Sequence, residues 1–144
     1  MPVMNKRFWI SGLGLGFVSL LLGFSVHAVL LHNDYAELPN LFRSEADAGE
    51  HLPFMLLAHL LIGFGMTWMY RRANPSMDRS FVRHGLSFGI GLAALVTAPM
   101  YLIYYAVQPM PGAVVVKQIL LDTAGVVLLG LLAAWINCPC PRHC

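Results

Sequence analysis

Four apolar runs, each long enough to cross a bilayer, leave little of this chain for anything else. A hydrocarbon core about 30 Å thick takes about 20 residues of helix, and residues 8–31, 52–70, 81–107 and 113–136 all meet that length. Only 11% of the 144 residues are charged, where a soluble domain carries roughly 25%. An ordinary water-facing surface is therefore excluded. The expected fold is all-α: an integral membrane four-helix bundle forming one domain over 1–137, with a cysteine-rich tail at 138–144. A polar loop from His32 to His51, a basic one from Arg71 to Arg83 and the Gln108-Pro109-Met110-Pro111-Gly112 turn separate the runs. No basic patch with interleaved aromatics points to nucleic acid.

The cations are unevenly distributed. Lys6, Arg7, Arg71, Arg72, Arg79, Arg83 and Arg142 all fall on one side of the four-helix arrangement, and only Arg43 and Lys117 on the other. Positive residues are retained in the cytoplasm, so both termini and the tail are expected there, in the inner membrane of a bacterium. Trp9, Trp68, Tyr70 and Trp135 then fall at the inner interface and Tyr104 and Tyr105 at the outer one, as aromatic belts do. In an alternative reading, Lys6-Arg7, the apolar run and Val26-His27-Ala28 form a signal peptide cleaved after Ala28, although the run exceeds the usual signal core.

Small and polar residues recur at steps of three and four within the runs, which places them on single helix faces. The first stripe is Gly12, Gly16, Ser19, Gly23 and His27, and the second is His59, Gly63 and Thr67. The third is His84, Ser87, Gly91, Ala94, Ala98, Tyr101 and Tyr105, and the fourth is Gln118, Asp122 and Gly125. Small residues let backbones approach where no hydrophobic effect drives helices together, so these faces are expected to form the interior.

Counting about 1.5 Å per residue from the outer helix ends puts His27 at about 6 Å depth, His59 and Tyr101 at about 10 Å, and Asp122 at about 13 Å. Every helix thus sends a polar group into one layer. Pro99 adds to it by freeing the carbonyl one turn earlier, near Leu95. On one reading Asp122, His59, His27 and Tyr101, with Gln118 nearby, merely bond one another and fix the packing. On the other the layer is functional, because an intramembrane carboxylate costs about 2.5 to 3.5 kcal/mol. Asp122 is its central candidate, exchanging a proton with His59 near neutral pH.

Other ligand chemistries remain open. His27 and His59 mirror each other around the first hairpin, as bis-histidine haem ligands in a bundle would, and His32, His51 and loop carboxylates form a candidate metal set. Cys138, Cys140, His143 and Cys144 are soft ligands suited to zinc or copper(I), with spacing tighter than the usual zinc pattern. No phosphate loop, His-Glu-x-x-His or Gly-x-Ser-x-Gly appears, so no enzymatic activity and no resident cofactor is expected.

The stretch His84-Gly85-Leu86-Ser87-Phe88-Gly89, the run from Tyr101 to Pro109 and the segment from Lys117 to Asp122 resemble small four-helix inner-membrane proteins of bacteria that carry no assigned function. The resemblance covers most of the chain after Phe17. It implies the architecture and supplies no catalytic residue. Three functions follow: an accessory or small-ligand-binding membrane protein, a proton-coupled transporter acting as a homodimer, or a b-haem electron carrier. The partners expected are the lipid bilayer and a second copy or a larger membrane complex. Reporter fusions after Arg72 and at the carboxyl terminus should read cytoplasmic and one near Asp47 periplasmic; a periplasmic signal at Arg72 would invert the topology.

Overall fold

In the computed structural model, which describes residues 5–73 and 80–137, helix α1 (Lys6–Phe24) begins just ahead of the apolar run. Asn5 caps it, its side-chain oxygen accepting from the Phe8 amide at 3.1 Å. The helix continues into a wide π turn over Ser25–Leu30. There Ser25 Oγ donates to the Leu21 carbonyl at 2.8 Å, a back-bond that loosens the α ladder, and the Leu31 amide reaches back to Val26. Two short helices, α2 (His32–Ala36) and α3 (Glu45–Glu50), precede α4 (Leu52–Ala73). After the basic segment come α5 (Phe81–Leu92), a second π turn over Ala93–Thr97, α6 (Ala98–Val107) and α7 (Gly112–Asn137).

Four spans are long and apolar enough to cross a membrane: Lys6–Leu30, Leu52–Ala73, Phe81–Val107 and Gly112–Asn137. No strand occurs among the described residues. The third span contains Pro99, which has no amide to offer the Leu95 carbonyl. The π turn just before it takes up the mismatch, the Ala98 amide donating to Ala93 five residues back.

Glycine decides which spans pair. The first packs most extensively on the second, and the third on the fourth. A Cβ added to Gly63 would collide with the Gly12 carbonyl and the Gly16 backbone. One on Gly130 would stand 2.6 Å from the Gly85 carbonyl and 2.8 Å from Gly89 Cα. Such approaches replace the hydrophobic drive that lipid cannot supply. The first and fourth spans also touch, whereas the second and third scarcely meet.

The buried row of the third span is Gly85, Gly89, Ala93 and Thr97, beside the expected row that begins His84, Ser87, Gly91 and Ala94. The cause is the spacing of four shared with Gly130, which lets two backbones touch; Gly91 faces open space. Four residues overshoot an α turn of 3.6 residues, so such a row drifts around its helix. The wider π turn removes part of that drift and keeps Tyr101 on the inner side.

Tyr70, in the last turn of α4, faces into the bundle. It is buried edge-on against Phe88, with ring centroids 5.3 Å apart, in the core with Leu15, Met66 and Leu129. Below them Ser11, Thr67 and Asn137 form a polar clasp: Ser11 Oγ lies 3.1 Å from Thr67 Oγ1 and accepts from Asn137 Nδ2 at 2.9 Å. The loop after the first span is more ordered than its polarity implied. Ser44 caps α3, accepting from the Asp47 amide at 3.4 Å, and Arg43 pairs with Asp47 at 2.7 Å. Leu41 and Phe42 from this loop pack against Met110, Val114 and Val115.

Gly63→Leu and Gly89→Leu should each destabilise the detergent-solubilised protein by about 1–3 kcal/mol or more, because the added bulk meets backbone. Gly14→Leu and Gly91→Leu, which meet nothing within 4 Å of the added Cβ, should be nearly neutral. Equal melting losses at all four positions would refute this packing.

Candidate functional site

Asp122 lies midway along α7, where a carboxylate has no aqueous solvent unless the fold supplies it partners. Two other spans do so. The Tyr101 hydroxyl donates to Asp122 Oδ2, and His27 Nε2 stands 3.4 Å from the same oxygen. Both protein contacts converge on Oδ2; among the described residues Oδ1 accepts no hydrogen bond. Tyr101 owes its inward position to the π turn before it, and His27 sits inside the other π turn. π turns within α-helices frequently mark functional sites.

The layer is closed from the loop side by Tyr35 of α2. Its hydroxyl accepts from Gln118 Nε2 at 2.9 Å and lies 2.7 Å from His27 Nδ1. A hydrogen-bonded chain thus links Gln118, Tyr35 and His27 and brings His27 Nε2 beside Asp122. Burial, above all, pushes the Tyr35 phenol above its ordinary value, the Asp122 and Asp34 carboxylates adding to the rise and the Gln118 amide opposing it. Tyr35 is therefore a neutral donor at physiological pH. Gln118 is buried, and its Oε1 has no partner among the described residues. Lys117 anchors the same loop through both oxygens of Asp34, at 2.7 and 2.9 Å.

His59 does not pair with Asp122 as expected. Its Nδ1 lies 2.8 Å from Ser19 Oγ, and its ring rests on Gly23, where an added Cβ would come within 3.0 Å. The histidine beside Asp122 is instead His27, because Ser19 and Gly23 hold the His59 ring against the first span. Both histidines line one cavity of about 730 Å³, within the range of small-molecule sites. It occupies the gap between the second and third spans. Met55, Ile62 and Met69 form one wall, Leu92, Val96 and Met100 the other, and Val126 and Leu129 part of the floor. Ser19, His27, His59, Thr97, Tyr101 and Asp122 are its polar residues.

The loop metal set does not assemble: among the described residues no three His, Cys, Asp or Glu side chains gather to hold an ion. His51 Nδ1 instead meets the Asp47 carbonyl at 2.8 Å. Cys138, Cys140, His143 and Cys144 lie outside the described residues. Tyr35 was missed by sequence reasoning, since a tyrosine in a polar loop carries no periodic signal. Family models, curated proteins and solved structures offer no match to this chain.

Tyr35→Phe removes the partner of both His27 Nδ1 and the buried Gln118 amide, so it should cost about 1–3 kcal/mol. Gln118→Met should cost less, because it removes the orphaned oxygen along with the donor. The raised phenol contributes stability that is fully present below the ordinary tyrosine value of about 10 and is lost as pH climbs above it. Alkaline destabilisation should therefore be shallower in Tyr35→Phe; identical pH profiles would remove Tyr35 from the layer.

Proposed function

We propose that this protein is a non-enzymatic, multi-pass protein of the bacterial inner membrane, with both termini cytoplasmic. It binds a small amphipathic ligand taken from the bilayer. The observation that carries this reading is the cavity of about 730 Å³ that opens between two spans and ends at Asp122, Tyr101, His27 and His59. A ligand site of this type is mainly apolar, with a few convergent polar groups that orient the bound molecule. The unpacked seam between the second and third spans gives a lipid-soluble molecule a lateral route, and the loop bearing Tyr35 covers the polar end.

Gly125 lines the cavity, and a Cβ there would meet nothing within 4 Å. Gly125→Phe should therefore occupy ligand space without disturbing helix contacts. Purified wild type should gain melting temperature from at least one of three dodecyl-chain amphiphiles bearing cationic, neutral or anionic heads, because a ligand binding only the folded state stabilises it. Gly125→Phe should melt at a similar temperature without amphiphile and gain little with it. Equal gains in both proteins would mean that the amphiphiles act elsewhere.

A further inference from the structure

We propose that the cavity is selective for lipophilic ammonium ions, with Asp122 as counter-charge for the head and the methionine-lined cleft as the seat of the apolar body. The inference rests on the ligand-binding reading above and adds the chemical class. Among the described residues Asp122 is the one carboxylate lining the cavity, and no lysine or arginine lines it. The nearest cation on the same helix, Lys117, is committed to Asp34. The Asp122 side chain is 19% exposed, and Oδ1 accepts nothing from the described residues, so one oxygen is left for a ligand.

A carboxylate in apolar surroundings is costly unless a positive charge accompanies it. A neutral head would satisfy its hydrogen-bonding capacity and leave the charge. An anionic head would be repelled. A cation relieves the cost, and little water intervenes to screen the attraction. The walls suit a varied hydrophobic body: Met55, Met66, Met69 and Met100 all line the cavity, and methionine repacks easily around irregular shapes.

His27 comes from the first span and Tyr101 from the third to meet Asp122 at Oδ2, His59 stands on the cavity from the second, and Tyr35 reaches it through His27.

The test uses full-length protein in neutral detergent, titrated at neutral pH with dodecyltrimethylammonium or dodecyldimethylamine N-oxide. The two share chain length and approximate head size and differ in net charge. Wild type should bind the cation at least about tenfold more tightly, a modest fraction of what a charge at about 4 Å contributes in a partly desolvated site. Asp122→Asn should bring the two affinities together, and Asp122→Glu should keep them apart. The comparison of the two amphiphiles in wild type decides the matter even if Asp122→Asn fails to fold. Equal affinity of wild type for both amphiphiles, or a charge preference surviving in Asp122→Asn, would overturn the ammonium assignment while leaving ligand binding intact. If neither amphiphile separates wild type from Gly125→Phe, the ligand-binding reading falls with it.

Discussion

The fold depends on glycine-to-backbone contact at two places, Gly63 against Gly12 and Gly16, and Gly130 against Gly85 and Gly89. Lipid tails are as apolar as leucine, so helices gain nothing from burying leucine against one another; close approach of backbones has to supply the attraction. Large side chains are accordingly turned outward: Phe54, Leu95 and Val107 are each 71% exposed. Two tight pairs result, joined mainly through the first and fourth spans. The second and third spans are left without a mutual contact face. The cavity is the geometric consequence of that pairing.

The polar layer depends on the same arrangement. His27, Tyr101 and Asp122 come from three different spans and meet at one carboxylate oxygen. Two of the three lie within or just beyond a π turn, where the extra residue per turn re-aims a side chain that a regular helix would carry away from the centre. The loop contributes as much as the spans. Tyr35 packs at a tilt against Phe42, with centroids 4.3 Å apart, and the Asp34–Lys117 pair holds α2 against the fourth span. A segment that is polar by composition is thereby tied to the polar layer.

Much of the architecture was legible in the sequence because it depends on local quantities. Apolar runs of membrane length became helices, and their ends moved by only a few residues where Asn5 or the basic segment extended them. The glycine face of the first two spans followed from spacing. In the third span two small-residue rows ran side by side, and spacing alone favoured the longer one; only the position of Gly130 on the facing helix selects Gly85 and Gly89. The burial of Tyr70 was not legible for a similar reason, because an aromatic that faces outward at a helix end and one that faces inward look alike until Phe88 is placed beside one of them.

What the sequence by itself determined was axial: how many helices, how long, and at what level His27, His59, Tyr101, Gln118 and Asp122 stand along them. Rise per residue is a local property, so counting suffices. What only the tertiary structure decided was azimuthal: which face of each helix turns inward, that Asp122 meets His27 rather than His59, that Tyr35 links Gln118 to His27, and that a cavity opens between the second and third spans. Rotation about an axis and choice of neighbour depend on contacts between residues far apart in the chain, here 21 positions for Tyr101 and Asp122 and 83 for Tyr35 and Gln118. No pattern within a single helix encodes those separations.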